Sequence, residues 1–119
     1  MGAEMYKVSV VTRREKLLTL MAALEAIGVA AMTVTQVDGC GTQLGQMEQY
    51  RGVKEEIHCL PKIMVEAVVS TVPVDDVVRT AREALCTGNI GDGKIFVSRV
   101  SRVVRVRTGE ENLAALVNK

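Results

Sequence analysis

The order of its apolar segments is the feature that most constrains how this chain folds. Short, β-branched segments alternate with two helical ones. The predicted strands are residues 6–12, 29–37, 63–69 and 95–106. With a helix between the first pair and another between the last pair, the order is β-α-β-β-α-β. This order predicts an α+β, ferredoxin-like fold, with both helices on one face of an antiparallel sheet.

Both predicted helices carry start and stop signals. The first opens at Arg13–Glu15 and ends at Gly28, and its apolar stripe comprises Leu17, Met21 and Leu24, with Leu18 and Ile27 alongside. The second begins at Pro73 and is expected to end at Gly88. Its predicted stripe is Val74, Val77, Val78, Ala81 and Leu85.

The strands are apolar on both faces. Val8 and Val10 alternate with an apolar Val11, and Val65 stands next to Met64. A strand that is apolar on both sides expects cover on both sides, and two helices cover only one. We therefore predict a homo-oligomer that buries the second face.

Length and composition indicate one domain, residues 1–119, with an aliphatic core. Apolar residues make up 48 % of the chain and aromatic residues 3 %. The formal net charge of +1 provides no field to attract nucleic acid or an anionic membrane. No apolar run approaches the roughly 20 residues of a membrane span, and no signal peptide is visible, so we expect a cytoplasmic protein without membrane insertion.

The cysteine pattern favours reduced thiols. There are three cysteines, Cys40, Cys59 and Cys86, without a CxxC pair. His58 and Cys59 stand near Cys40, but a metal site needs more ligands in suitable spacing.

No catalytic arrangement of Ser, His, Asp or Cys stands out, and Asp92 fits a turn-forming role, so we predict that the chain is not an enzyme. Glu66 fits either a nucleotide ribose contact or polar cover of the sheet.

Residues 39–58 fit neither the helical nor the strand period. Four glycines interrupt this polar stretch: Gly39, Gly41, Gly45 and Gly52. Structureless segments of this length are uncommon in compact domains and are usually functional or disordered. We interpret it as a long mobile loop. An extension of the flanking strands into a β-hairpin is the alternative, and the two can hold in part.

A glycine-rich segment lies between the second helix and the last strand. Gly88, Gly91 and Gly93 let backbone N–H groups approach a phosphate, and Lys94 adds a cation. The spacing resembles a Walker A motif, but Ile95 replaces its Ser or Thr and the motif runs from helix to strand. Further along, Arg102, Arg105 and Arg107 follow on the predicted strand. Because Arg105 and Arg107 alternate with valines, we expect both guanidinium groups on one face.

Several motifs in fixed register resemble the P-II nitrogen-regulatory family, over about residues 5–111. They are Met32–Thr35, Gly39-Cys40-Gly41, Tyr50-Arg51-Gly52, Leu60-Pro61-Lys62, Thr87–Val97 and Val104–Glu110.

The resemblance implies a ferredoxin-like homotrimer in which ATP and ADP compete for clefts between subunits. The long loop, about residues 40–58, corresponds to the T-loop that docks onto targets, residues 87–94 to the glycine-rich B-loop, and residues 108–119 to the C-terminal tail. The implied nucleotide-binding residues are Thr33, Gly39, Gly41, Thr42, Gly91, Asp92, Gly93 and Lys94, with Arg105 and Arg107 from a neighbouring subunit. By the same resemblance, 2-oxoglutarate binds beside ATP through Mg²⁺ held partly by Gln43, with Lys62 on the acid.

The chain departs from the family pattern at the loop. Thr42 stands where the family has an Arg on the terminal phosphate, and Leu44 stands where it has a Lys. Glu55 occupies the position of the commonly uridylylated Tyr, so that modification is not expected there.

We therefore predict a signalling protein that regulates an ammonium channel or a nitrogen-metabolism enzyme through the T-loop. Losing one Arg removes a charge-assisted contact worth about 1.5–3 kcal/mol, which weakens discrimination between ATP and ADP. Two alternatives remain open: a divergent sensor of AMP or ADP with bicarbonate, or of a metal, and a slow ATPase.

Overall fold

The computed structural model describes residues 4–43 and 56–117, and the side chains of residues 42, 43, 56 and 57 lie outside that description. Four strands form one antiparallel sheet in the order β2-β3-β1-β4. They are β1 (Met5–Arg13), β2 (Thr33–Gln43), β3 (Glu56–Val69) and β4 (Lys94–Val100). The helices are α1 (Leu17–Ala26), preceded by a 3₁₀ turn at Arg14–Lys16, α2 (Val74–Leu85) and a short α3 (Leu113–Leu116). The predicted fold class is confirmed.

The core lies between the sheet and α1 and α2. Because successive strand side chains point to opposite faces, one parity of β1 and β3 faces the helices. Its buried members are Val8, Val10, Ile63, Val65, Ala67 and Val69. The helices close over them with Leu20, Leu24, Val77, Ala81 and Leu85. The stripe predicted for α2 is confirmed at its centre.

The stripe predicted for α1 is confirmed in part. Leu24 is buried, and Leu17 and Ile27 pack against the core as predicted. The prediction missed Leu20, which is fully buried, and wrongly included Leu18, which is 77 % exposed. Gly28 follows the helix with a φ of 101°, as expected of a glycine that ends a helix.

Other boundaries also differ from the prediction. β2 begins at Thr33 rather than at residue 29. Val29 is buried in the core, but it precedes the first residue pair of the β2–β3 ladder. α2 ends at Leu85 rather than Gly88, since Cys86 already has an extended ψ of 121°. β4 ends at Val100 rather than residue 106, because its partner β1 begins at Met5, which pairs with Val100. The Arg residues after it are therefore not on a strand.

The predicted loop is partly strand. β2 and β3 continue as an antiparallel pair out to Gln43 and Glu56, beyond the edge of the rest of the sheet. The alternative interpretation, a hairpin extension, therefore holds at both ends of the segment. Residues 44–55, the centre of the predicted T-loop, lie outside the described residues.

The face of the sheet opposite the helices carries a mixed surface. Lys7, Ser9, Val11, Met64 and Val68 belong to this parity, and Phe96 on β4 is 55 % exposed. Among the described residues, no helix is both long and apolar enough to pass through a membrane.

Candidate functional site

The segment 88–94, called the glycine turn below, lies at the end of the sheet where β1 finishes and β4 starts. Lys94 pairs with Val11, and Thr12 and Arg13 at the end of β1 therefore reach the turn. Gly91 and Gly93 have φ angles of 104° and 113°, values that residues other than glycine rarely adopt. A Cβ on Gly93 would lie 1.9 Å from the Val11 carbonyl oxygen, so only glycine fits there.

Three successive carbonyl groups of the turn are held by side chains from β1 and β3. A guanidinium nitrogen of Arg13 donates to the Ile90 carbonyl at 2.8 Å, and Lys62 Nζ donates to the Gly91 carbonyl at 3.0 Å. Thr12 Oγ1, which is almost completely buried, donates to the Asp92 carbonyl at 2.8 Å.

This capture fixes the direction of the following amides. In a planar trans peptide, the C=O of one residue and the N–H of the next point in opposite directions. With the carbonyls turned towards the strands, the N–H groups of Gly91, Asp92 and Gly93 point away from them. Successive amides directed outwards form a concave site for an anion.

The Asp92 carboxylate holds the turn from within. It accepts hydrogen bonds from the Thr87 hydroxyl and amide at 2.5 and 2.7 Å, and from the Gly88 amide at 3.0 Å. Arg13 adds an ion pair at 2.7 Å. The Thr87 hydroxyl is the main cause that lowers the pKa of Asp92 below its usual range, followed by the Thr87 amide and Arg13. Asp92 is thus an ionised brace of the turn, with its oxygens already engaged.

Lys94 supplies the cation at the mouth of the turn. It is exposed at the first position of β4, and it has no carboxylate partner within residues 4–43 and 56–117. An exposed ammonium next to outward-facing amides suits the phosphates of a nucleotide. The residues present therefore fit a polyphosphate at this end of the sheet.

A second group of predicted residues lies in a separate cavity. Thr33 and Glu66 line a space of about 340 Å³, together with Lys7, Val68 and Leu116. Ser9 Oγ donates to Glu66 at 2.7 Å, and Lys7 lies 3.5 Å from it. The Ser9 hydrogen bond is the largest cause that lowers the pKa of Glu66, so this carboxylate is charged at neutral pH. None of the described residues of the glycine turn lines this cavity.

The two predicted Arg residues lie in the chain after β4 and face different surroundings. Arg105 pairs with Glu110 at 2.9 Å, and its guanidinium also donates to the carbonyls of Ala114, Ala115 and Val117. Arg107 is exposed, and it lies in the turn that is closed by the hydrogen bond from the Gly109 amide to the Arg105 carbonyl. The expectation of one shared strand face is wrong, because β4 ends at Val100 and no longer imposes alternation there.

The loop-base residues stand on the β2–β3 extension. Gly39 packs against Lys62, whose Cγ would lie 3.0 Å from an added Cβ, whereas an added Cβ on Gly41 would meet nothing within 4 Å. Thr42 and Gln43 belong to β2 by their backbones, but their side chains lie outside the described part of the chain. A single chain therefore separates the predicted site residues into distinct groups.

The prediction of three reduced thiols is wrong. Cys40 and Cys59 face each other across the β2–β3 ladder and form a disulfide, which leaves only Cys86 free among the described residues. The sequence could not show this, because 19 positions separate the two residues and only the strand register brings them together. The same bond removes both thiolates from a metal site with His58, and no group of three metal-ligating side chains occurs in residues 4–43 and 56–117.

Sequence reasoning missed Thr12 and Arg13. No local pattern marks either residue as part of a site. The only signal is their place at the end of the first predicted strand, and their contacts lie about 80 positions away.

Comparisons with known proteins show the family and the fold. The family described as nitrogen regulatory protein P-II matches residues 5–110. The nitrogen regulatory PII-like protein of Bacillus subtilis is 47 % identical over 116 residues, which cover 98 % of this chain and all of that protein. Nitrogen regulatory protein P-II 2 of Methanothermobacter thermautotrophicus is 49 % identical over 94 % of this chain and 97 % of its own length.

A solved structure extends the likeness to three dimensions. The B. subtilis GlnK–ATP complex has a TM-score of 0.86 and 46 % identity, covering 96 % of this chain and 99 % of that one. The family match spans nearly the whole described chain, including the glycine turn and both ends of the predicted T-loop. The chain therefore belongs to the nitrogen regulatory protein P-II family.

Proposed function

We propose that this protein is a signalling homotrimer that binds ATP or ADP at clefts between subunits and regulates a nitrogen-metabolism target through its T-loop. The observation that carries the proposal is the capture of three successive carbonyls by Arg13, Lys62 and Thr12. It turns three amides outwards beside the exposed ammonium of Lys94. A triphosphate or diphosphate is the ligand that such an array suits best.

The separation of the remaining residues supports a site between subunits. Thr33, Arg105 and Arg107 do not join the glycine turn in one cavity of the described chain. A neighbouring copy, seated on the open face of the sheet, would bring its own Arg105 and Arg107 to the turn. Phe96, Met64 and Val68 on that face would then leave water, which favours association.

The solved relative supports adenine as the base. The B. subtilis GlnK structure is a complex with ATP, and that protein aligns over 96 % of this chain. Gly91, Asp92, Gly93 and Lys94 act on the phosphates, and Thr33, Gly39, Gly41 and Thr42 complete the site from β2.

Lys62 couples the phosphate site to a second effector. Its ammonium holds the Gly91 carbonyl at 3.0 Å and has further protons to donate. 2-Oxoglutarate binds at this ammonium, together with a Mg²⁺ ion held by ATP and Gln43.

The protein acts in the cytoplasm without catalysing a reaction, and its target is an ammonium channel or a nitrogen-metabolism enzyme.

Calorimetry with ATP, ADP and AMP tests the proposal, alongside light scattering for the trimer. Lys94→Ala should weaken ATP and ADP binding by about 10- to 100-fold, because one charge-assisted phosphate contact is lost. Arg79→Ala is the matched control, since Arg79 is an exposed cation on α2 paired with Asp76. Absence of binding at millimolar nucleotide would contradict the proposal, as would a monomer in solution. Added 2-oxoglutarate should tighten the ATP–Mg²⁺ complex and not the ADP complex.

A further inference from the structure

The disulfide at the base of the T-loop is accessible from solvent. Cys40 and Cys59 are direct partners in the β2–β3 register, with Cα atoms 3.9 Å apart, and both residues are exposed. β2 is the edge strand of the sheet, so no further strand of the described chain covers the bond from that side. A thiol in solution can therefore reach the sulfur atoms. Exposed disulfides of this kind are the ones that exchange readily.

The bond also lies next to residues of the proposed nucleotide site. Cys40 stands between Gly39 and Gly41, and Gly39 packs on the stem of Lys62. Lys62 Nζ in turn holds the Gly91 carbonyl at 3.0 Å. A continuous set of contacts thus runs from the disulfide to the carbonyl array of the glycine turn.

We infer that Cys40 and Cys59 form a reversible thiol–disulfide site that adjusts nucleotide binding to the redox state of the surrounding thiols. In the oxidising direction, the two thiols reduce a low-molecular-weight disulfide such as oxidised glutathione. One S–S bond forms between Cys40 and Cys59, and the reagent leaves as two thiols that carry the two protons. The reverse exchange uses a dithiol and returns both cysteines to the reduced state.

The oxidised state is expected to bind ATP more tightly. The cross-strand bond holds Gly39 and Gly41 in register with β3, so less freedom is lost when they close on a ligand. After reduction, only backbone hydrogen bonds join the two strands at Cys40 and Cys59, where β2 and β3 extend beyond the other strands. This coupling rests on the proposed function, whereas the thiol exchange itself does not.

Alkylation of the full-length protein tests the exchange directly. The variant C86S is used, because the exposed thiol of Cys86 would itself form a mixed disulfide with glutathione. After equilibration of C86S with oxidised glutathione and trapping with N-ethylmaleimide, intact mass should show neither a label nor a glutathione adduct. After equilibration with dithiothreitol it should show two labels, on Cys40 and Cys59. Labels or glutathione adducts under oxidising conditions, or no label after native reduction, would overturn the inference.

ATP titration of both forms tests the coupling. The oxidised wild type should bind ATP at least about threefold more tightly than the reduced form. C40S and C59S should bind alike under both conditions, while C86S should keep the full difference. A redox effect that persists in C40S, or no effect in the wild type, would overturn the coupling.

Hydrogen exchange separates failure of this inference from failure of the proposed function. Amides of residues 39–43 should exchange about tenfold more slowly in the oxidised form, with or without nucleotide. If neither form binds ATP, the proposed function fails, while labelling and hydrogen exchange still decide the redox site. Equal exchange in both forms would contradict the redox control of this strand pair.

Discussion

The glycine turn and the outer hairpin, defined as residues 39–43 of β2 and 56–60 of β3, both belong to the proposed site but are held in different ways. The turn is held by hydrogen bonds from three side chains outside it, those of Thr12, Arg13 and Lys62, and by its own Asp92. The outer hairpin is held by its ladder and one disulfide, and its described side chains are exposed or half-buried.

The contrast separates two tasks of a regulatory site. A phosphate-binding surface gains affinity when its donors are fixed before the ligand arrives. A segment that reports on the ligand has to adopt more than one arrangement at low cost. The described side chains of the outer hairpin are exposed or half-buried, as such a segment requires, and Lys62 connects it to the glycine turn.

The largest expected effect is on the turn, from Gly93→Ala. Its Cβ would overlap the Val11 carbonyl at 1.9 Å, at a φ of 113°. We expect a loss of about 3 kcal/mol or more in the free energy of unfolding and at least about 100-fold weaker ATP binding. Gly88→Ala is the matched control: its φ is 84°, but nothing lies within 4 Å, so the cost should be about 1 kcal/mol. Urea unfolding and calorimetry measure both. Equal stability of the two variants would break the description of the turn as rigid.

An intermediate effect is expected from Asp92→Asn, and it depends on pH. Hydrogen bonds and Arg13 lower the pKa of Asp92 in the folded protein relative to about 3.9 in the unfolded chain. The folded state therefore binds fewer protons, and this stabilisation is complete above about pH 4 and is lost as the pH falls towards the native pKa.

Wild type should thus be more stable than Asp92→Asn at pH 7, and the difference should shrink at about pH 3. ATP binding at pH 7 should weaken by about fivefold, because the turn is less fixed. Urea unfolding at both pH values measures the difference in the free energy of unfolding. A difference that is independent of pH would show that the charge of Asp92 does not hold the turn.

The smallest effects are expected on the outer hairpin, where Gly39→Ala and Gly41→Ala form a pair. Neither glycine has a positive φ. At residue 39 the new Cβ would lie 3.0 Å from Lys62 Cγ, so the lysine stem must shift away from Gly91. We expect ATP binding to weaken by about twofold to threefold, with less than about 1 kcal/mol of destabilisation.

At residue 41 the new Cβ meets nothing within 4 Å, so the free energy of unfolding should change by less than about 0.5 kcal/mol. The loss of ATP affinity should be smaller than for Gly39→Ala, because the stem of Lys62 is left undisturbed. Calorimetry measures the ATP affinity of both variants, and urea unfolding measures their stability. Identical affinities for the two variants would contradict a connection through Lys62 and sharpen the separation of the two regions.

Most of the fold followed from local pattern, and the errors share one cause. The order of elements and the buried face of α2 could be predicted because apolar periodicity is written in neighbouring residues. The stripe of α1 was wrong at the exposed Leu18 and missed the buried Leu20, and the end of β4 was wrong because its partner strand begins at Met5. Boundaries and phase depend on what an element packs against, which a local window does not contain.

The sequence by itself determined the α+β order and the place of a glycine-rich turn between α2 and β4, since periodicity and backbone freedom are properties of nearby residues. Only the tertiary structure decided that Thr12, Arg13 and Lys62 capture the carbonyls of that turn, from 80, 77 and 29 positions away. It also decided that Cys40 meets Cys59. Such pairings depend on strand register, which cooperative packing of the whole sheet fixes.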